Sequence, residues 1–271
     1  MVQMLVEAGD VAANLARAEA RIAEAAEAGC QIAVLPECLD FGWTFPGARS
    51  GAEPIPGRSS DTIVAAAVRA GIHVVAGMVE RAGDRLYNSA ILVSPDGQIL
   101  WKHRKINELA VAHDLYSTGG LLGVVETGLG VIGVNICADN FPRSLALAHA
   151  QARMGCQILL SPCAWAVDGD HDNAAQPYGS LWINSYREIA RLYHISVVGV
   201  SNVGWLTDGP WKGRKCIGCS LAVGPDGTIL AQGPYGESAE ILLTVEVPLG
   251  RPAARGTELA GYLESKGYTG P

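Results

Sequence analysis

Cys137 lies where a catalytic nucleophile would be useful. The apolar run 130–136 has the pattern of a buried strand and ends directly at Cys137, before a loop containing Pro142 and a helix predicted from about Ser144. Ligands bind at the carboxyl ends of strands in open α/β sheets, and turn N–H groups such as that of Ala138 can face a developing oxyanion. A free cysteine is also commonly a small buried hydrophobe, so position alone leaves both roles open.

Two charged residues also follow apolar strands. Glu37 comes after the run 32–35, and Lys105 closes the basic segment 101–105. A cysteine nucleophile needs a base and a positive group, and the local sequence offers no Cys/His pair, so a carboxylate is the candidate base. A buried carboxylate at a strand end requires partners, which a lysine and a thiol would supply. Taken singly, each residue is more typical of a salt bridge or a solvated strand end.

The elements that must position these residues alternate along the chain, without a linker or a break in composition. Helical spacing or apolar runs predict helices and strands in turn, which indicates a mixed sheet with helices outside and one domain over residues 1–271. The predicted helices are 14–29, 61–71, 144–155 and 182–193, and the predicted strands are 32–35, 73–77, 87–93, 98–103, 130–136, 157–161, 196–201, 219–223 and 228–232.

Two hairpins have similar sequences. Each has a Pro-Asp-Gly turn, at 95–97 and at 225–227, between short apolar strands. The repeat is consistent with internal pseudo-symmetry, or simply with a turn sequence that works well twice.

Composition limits the function classes. With 49% hydrophobic residues and 17% charged residues, the chain can bury a sizeable core, and its formal net charge of -7 gives it no electrostatic reason to bind nucleic acid or an anionic membrane. We find no signal peptide and no run of about 20 apolar residues, so we expect no membrane partner. Seven irregularly spaced cysteines favour reduced thiols and a cytoplasmic location.

Three short motifs together resemble the nitrilase, or carbon–nitrogen hydrolase, superfamily. They are Leu35-Pro36-Glu37, His103-Arg104-Lys105 and Ile136-Cys137-Ala138-Asp139, in the order and approximate spacing of that family. Further matches extend over nearly the whole chain: the segments 9–15, 116–119, 141–142, 161–165 and 201–204, and the last Pro-Asp-Gly hairpin.

The resemblance implies an α/β fold, a four-layer α-β-β-α sandwich of nitrilase type, in a homodimer or higher homo-oligomer. It implies a small-molecule substrate, no metal and no organic cofactor. It implies that Glu37 shuttles protons, Cys137 attacks the substrate carbon, and Lys105 and the Ala138 N–H stabilise the oxyanion. The segment Cys216-Ile217-Gly218-Cys219 is interpreted as two strand residues rather than half of a zinc site, because no second pair is suitably spaced.

Many family members carry a second glutamate after the lysine, and two acids here compete for that role. Alignment on Gly119 selects Asp114, whereas Glu108 lies closer to Lys105 and has the longer side chain. We favour Glu108, and either acid also fits plain surface charge.

The substrate class is predicted from the residues after the nucleophile. Ala138-Asp139 stands where nitrile-specific members usually have Trp-Glu, so the sequence resembles the amidase and carbamoylase branches. Arg143 is a candidate ligand for a substrate carboxylate or a structural salt bridge. The alternatives are a nitrilase acting on a small nitrile and a non-catalytic binding protein with the same fold. The candidate pocket walls, each also fitting an ordinary core role, are Phe41, Trp43, Tyr116 and Trp165.

Overall fold

The computed structural model describes residues 1–251 and 256–270. In these ranges the helices are α1 (Val11–Glu27), α2 (Ala48–Gly51), α3 (Arg58–Ala70), α4 (Ala146–Arg153), α5 (Ser180–Tyr193) and α6 (Thr257–Ser265). The strands are β1 (Val2–Gln3), β2 (Ile32–Val34), β3 (His73–Ala82), β4 (Arg85–Val93), β5 (Ile99–Arg104), β6 (Val124–Thr127), β7 (Gly130–Val134), β8 (Ile158–Cys163), β9 (Ala166–Val167), β10 (Ser196–Ser201), β11 (Val203–Trp205), β12 (Lys215–Ile217), β13 (Leu221–Val223), β14 (Ile229–Gln232) and β15 (Ile241–Leu242).

Two larger sheets form the centre of the fold. The first has the strand order β2-β3-β4-β5 and the second β14-β13-β10-β8-β7-β6. Helices α1 and α3 contact each other and strands of the first sheet, whereas α4 and α5 contact each other and α5 packs on β10 and β13. Strands β2 and β3 contact β8 across the interface between the sheets. The result is the four-layer α-β-β-α sandwich that the resemblance to the nitrilase superfamily implied.

The alternation of side chains along the strands explains the layering. Val34 and Val75 belong to the core cluster that includes the second sheet, while their neighbours Ala33 and Val74 belong to the cluster with helices α1 and α3. Successive strand residues point to opposite faces, so strands apolar on both faces can fill a layer between helices and a second sheet.

The repeated hairpins occupy equivalent places. In the first sheet β2 runs parallel to β3, and the antiparallel hairpin β4-β5 completes the sheet. In the second sheet β8 runs parallel to β10, and the hairpin β13-β14 follows. Both hairpins have a register shift near the turn, at Val93 and at Val223. The sequence repeat therefore reflects two structurally similar halves.

The prediction for the Cys-x-x-Cys segment was partly wrong. Cys216 lies in β12, but Cys219 lies outside any strand, with a backbone φ of 59°. Pattern reasoning also missed the short strands β9 and β11, because two or three residues carry too little periodicity to be recognised. Within the described ranges, no helix combines the length and apolar character that a membrane crossing requires.

Candidate active site

Cys137 begins a sharp turn at the end of β7. A short 3₁₀ helix, 137–140, follows the strand, and Cys137 has a φ of 44°, a region that non-glycine residues seldom adopt. The Cys137 N–H donates to Ser161 Oγ at 3.1 Å, and the Asn140 side chain donates to the same oxygen at 3.0 Å. These contacts with β8 stabilise the strained turn, as is common at functional sites.

Asp139 fixes the turn to the neighbouring loop. Its carboxylate accepts hydrogen bonds from the backbone N–H groups of Ile106, Asn107 and Ile136 at 3.1, 2.7 and 3.0 Å, and lies 2.8 Å from His103 Nε2. Burial alone would raise the pKa of Asp139, but the contact with His103 and the backbone N–H donors hold it below its ordinary value. Asp139 therefore stays ionised and links the cysteine turn to the segment after Lys105.

Glu37 is held beside β3 by backbone contacts. A side chain at Gly77 would come within 2.6 Å of the Glu37 Cα atom, so only glycine allows this approach. The Glu37 N–H also donates to the Cys163 carbonyl of β8 at 3.2 Å. The carboxyl group is 1% exposed and accepts from Asn88 Nδ2 at 2.6 Å.

Lys105 is the cation that neutralises this buried carboxylate. Its Nζ donates to Glu37 Oε1 at 2.7 Å and lies 3.6 Å from Glu108 Oε2. Burial lowers the pKa of Lys105, but the charges of Glu108 and Glu37 outweigh burial and hold that pKa well above its ordinary value. Lys105 is therefore a permanent positive charge in this site.

The stretch after Lys105 also positions the lysine. The Gly119 N–H donates to the Lys105 carbonyl at 2.8 Å, and a side chain at Gly119 would overlap the Arg104 backbone. Glycine at this position lets the segment lie against the end of β5.

The three predicted catalytic residues lie around one cavity of about 270 Å³. Glu37, Lys105 and Cys137 all line it. The remaining lining residues are Trp43, Leu109, Phe141, Ala164, Trp165, Ala166, His171, Gln176, Pro177, Tyr178, Gly179, Ser180, Leu181, Trp182 and Trp211.

The Cys137 thiol is neutral at rest. A hydrogen bond with Cys163, burial and the negative charge of Glu37 raise its pKa well above the ordinary 9.0, while Lys105 opposes the shift. A nucleophilic role for Cys137 would therefore require proton transfer from the thiol to a nearby base.

The family of the protein follows from comparison with known proteins. The carbon–nitrogen hydrolase family model matches residues 1–254. The chain belongs to the carbon–nitrogen hydrolase family. A nitrilase of Pyrococcus abyssi is 32% identical over 225 residues, covering 80% of this chain and 78% of that protein. Omega-amidase NIT2 of Danio rerio is 35% identical over 162 residues, or 56% of this chain, and the match spans only 58% of that relative's length.

Solved structures share the fold. A carbon–nitrogen hydrolase of Helicobacter pylori superposes with a TM-score of 0.80 at 19% identity, covering 98% of this chain and 90% of that chain. The amidase of Nesterenkonia sp. AN1, in a form with acrylamide added to its active-site cysteine, gives 0.75 at 22% identity, covering 91% of each chain.

The structure places some of the remaining predicted site residues in the cavity and others outside it. Trp43 and Trp165 line the cavity, whereas Phe41 and Tyr116 do not. Both of the latter are buried in the cluster that contains Trp43, and Tyr116 Oη accepts from the Thr44 N–H at 3.1 Å. Their aromatic character reflects core packing beside the cavity.

The charged residues predicted to support Lys105 or bind substrate lie in different surroundings. Glu108 pairs with Lys105, whereas Asp114 is exposed and its carbonyl accepts a hydrogen bond from Arg49. Arg143 is exposed and lies outside the cavity lining. Among the residues with described placement, no group of three or more His, Cys, Asp or Glu side chains could hold a metal ion.

Sequence reasoning missed several residues in the cavity wall or in contact with the residues that line it. Asn88 lies in the middle of β4 and looks like an ordinary strand residue, yet it donates to Glu37. Trp182 lies in the first turn of α5, and Tyr178 and Trp211 lie in connecting segments. The wall therefore comes from chain segments whose meeting no local pattern indicates.

Glu108 should give the protein a pH-dependent stability. Burial raises its pKa from 4.5 to about 7, against the opposing charge of Lys105. The folded state thus binds this proton more tightly than the unfolded chain, so the contribution is full below pH 4.5 and is lost as pH rises through 7. In the wild type, the unfolding free energy should fall by on the order of 3 kcal/mol between pH 4.5 and about 7 because Glu108 loses its proton. Glu108→Gln should not show this part of the fall. Urea unfolding at pH 5 and pH 8 measures it, and an unchanged decline in the variant would contradict the assignment.

Proposed function

We propose that this chain is a hydrolase that cleaves a non-peptide C–N bond of a small amide or N-carbamoyl compound through a cysteine acyl-enzyme. The observation that carries the proposal is the buried Glu37–Lys105 pair at 2.7 Å, in the cavity that Cys137 also lines. A carboxylate, a fixed ammonium and a thiol together supply a base, an oxyanion partner and a nucleophile.

The first half of the reaction forms a thioester. Glu37 accepts the Cys137 proton as the sulfur attacks the substrate carbonyl carbon, and the carbonyl oxygen becomes an oxyanion. The Lys105 ammonium and the Ala138 N–H stabilise that oxyanion. When the tetrahedral intermediate collapses, Glu37 returns the proton to the leaving nitrogen, so ammonia or an amine departs and the C–N bond breaks.

The second half releases the acid. A water molecule gives a proton to Glu37 and attacks the thioester carbon, and the same oxyanion partners hold the second tetrahedral intermediate. Collapse breaks the C–S bond, and the Glu37 proton passes to the Cys137 sulfur. Lys105 keeps its charge throughout, since its raised pKa prevents it from donating a proton.

The relatives support amide hydrolysis with a nucleophilic cysteine. Curated matches include omega-amidases, and a solved amidase carries acrylamide on its active-site cysteine. A nitrilase is also among the relatives, so the family alone does not separate an amide from a nitrile substrate.

Amides should be better substrates than nitriles. Ala138 replaces the large residue that nitrile-specific members carry after the nucleophile. Its backbone carbonyl accepts hydrogen bonds from Asn107 Nδ2 and Ser144 Oγ at 2.6 Å each. We expect a higher kcat/KM for the amide in each matched amide–nitrile pair that shares one side chain. Ammonia release from several such pairs measures this. A consistent preference for the nitrile would support the alternative nitrilase function.

The broad test is a screen of small amides, N-carbamoyl compounds and nitriles with ammonia detection. We expect release from at least one amide or carbamoyl compound. A non-catalytic binding protein would release none while still binding ligands. The carboxylate, ammonium and thiol gathered in one cavity argue against that alternative.

The setting of the enzyme is part of the proposal. All seven cysteines are free, which fits a reducing compartment such as the cytoplasm. We propose a single catalytic domain over residues 1–271 and a homodimer or larger homo-oligomer, which size-exclusion chromatography with light scattering would test.

A further inference from the structure

Asn88 contacts both members of the buried Glu37–Lys105 pair. Its side-chain amide donates to Glu37 Oε1 at 2.6 Å, and its backbone carbonyl accepts a hydrogen bond from the Lys105 N–H at 2.8 Å. Asn88 is buried in the middle of β4, where antiparallel pairing with β3 places it opposite Val79. The sheet therefore holds Asn88 at a fixed place from which its amide can orient the carboxylate.

Both hydrogen bonds that the described residues make to the Glu37 carboxylate end on the same oxygen. Asn88 Nδ2 and Lys105 Nζ reach Oε1 at 2.6 and 2.7 Å. A carboxylate oxygen has about two lone-pair sites, so these two donors fill Oε1. A proton added to Oε1 would also face an ammonium group and an amide hydrogen. The proton that Glu37 takes from Cys137 must therefore go to Oε2.

Lys105 alone would leave the choice of oxygen open. An ammonium group is a compact cation with three rotatable donors, and it can pair with either carboxylate oxygen. Rotation of the Glu37 carboxyl group about its last bond is soft, and it would turn Oε2 toward Lys105. Asn88 opposes that rotation, because its planar amide donates to Oε1 from a strand that does not move with Glu37.

Packing alone does not account for a polar side chain at position 88. The Asn88 Oδ1 atom is buried and has no hydrogen-bond partner among the described residues. Leaving one half of a buried amide unpaired lowers stability, so such a group calls for an explanation beyond the fold. The donation from Nδ2 to Glu37 supplies that explanation.

We propose that Asn88 is a positioning residue that fixes Glu37 Oε1 and so leaves Oε2 free to carry the proton between Cys137, the leaving nitrogen and the attacking water. This inference rests on the proposed function and deepens its mechanism. Asn88 lies outside the cavity lining, so it acts through Glu37 rather than by touching the substrate.

The dependence of the rate on the leaving group tests this role. Asn88→Leu removes the donor but keeps the backbone carbonyl that binds Lys105. Up to departure of the leaving group, propanamide needs two proton transfers by Glu37, from the thiol and to the nitrogen, whereas 4-nitrophenyl propanoate needs only the first. We expect kcat/KM to fall about 100-fold for the amide and no more than about tenfold for the ester, because each misaligned transfer costs about tenfold.

Ser89→Ala is the matched control. Ser89 is the next residue of β4, is also buried, and donates to the Glu80 carboxylate at 2.7 Å, outside the cavity lining. This variant should keep the wild-type ratio of amide to ester kcat/KM. Asn88→Ala adds no bulk and should lower the ratio in the same direction as Asn88→Leu. A wild-type ratio in both Asn88 variants would overturn the proposal.

Crystal structures of the variants separate this proposal from the hydrolase proposal. In Asn88→Leu we expect the Glu37 carboxyl group to turn so that Lys105 contacts both of its oxygens, and in Ser89→Ala we expect it to keep its place. An unchanged Glu37 carboxyl group in Asn88→Leu would contradict the positioning role, whatever the turnover. A turned carboxyl group, with no ammonia release from any amide by the wild type, would count against the hydrolase proposal alone.

Discussion

Cys137→Ala should abolish ammonia release while leaving the fold intact. Without the sulfur no thioester forms, so the reaction loses its nucleophile, and kcat should fall by about 10⁵–10⁶ by analogy with other nucleophile deletions. Alanine tolerates the φ of 44° as well as cysteine does, and the Ser161 contact uses the backbone N–H of residue 137, which remains. The melting temperature should therefore shift by no more than about 3 °C.

The measurement needs a matched cysteine. Cys30 is half-buried, forms no disulfide and lies outside this cavity, so Cys30→Ala should keep wild-type kcat and KM. After iodoacetamide treatment, mass spectrometry should find a label on Cys137 in the wild type and in the Cys30 variant. Substrate should reduce this labelling in both proteins. Wild-type turnover by purified Cys137→Ala would reject the nucleophile assignment outright.

The sequence predicted most of the longer helices and strands well, because apolar periodicity reports burial directly. Strand 196–201 was predicted at its observed bounds, and the helix predicted from Asn14 begins at Val11, where Asp10 accepts a hydrogen bond from the Ala13 N–H. The order of the layers was implied by the family resemblance, and residues apolar on both strand faces are what that order requires. Helix ends shifted by up to three residues because cap geometry decides them.

The site was harder to predict because it depends on long-range contacts. Strand ends indicated which residues carry chemistry, and the resemblance assigned their expected roles. Neither identified Asn88, whose amide is distinguished only by meeting Glu37 across 51 residues of sequence. The choice between Glu108 and Asp114 likewise depended on which side chain reaches back to Lys105, a distance that only the folded chain supplies.

Aromatic residues show the same limit of prediction from sequence. Trp43 and Tyr116 are alike in sequence terms, and both pack in one cluster, yet only Trp43 lines the cavity. Which face of a buried ring meets a cavity is set by packing of several segments, so residue type alone does not distinguish wall from core.

Glu37→Gln should separate proton transfer from nucleophile reactivity. Glutamine keeps an oxygen that accepts from Asn88 and Lys105, and Lys105 retains Glu108 as a charged neighbour, so the variant should fold. It has no carboxylate to take the Cys137 proton or return it to the leaving nitrogen. We expect kcat for amides to fall by about 10³–10⁴, near the upper end of the usual range for a general acid–base residue.

The rate at which iodoacetamide alkylates Cys137 should not fall with amide turnover in Glu37→Gln. The negative charge of Glu37 contributes to the raised pKa of Cys137, and the charge of Lys105 lowers it. Removing the Glu37 charge therefore lowers the thiol pKa and increases the thiolate fraction at a given pH, so the iodoacetamide rate on Cys137 should rise or hold as amide turnover is lost. Glu19→Gln, at a surface ion pair with Arg69, is the control for a lost carboxylate and should change neither rate. If Glu37→Gln lowered alkylation and turnover in parallel, Glu37 would be positioning the thiol rather than moving its proton, and the base would have to be sought elsewhere in the cavity.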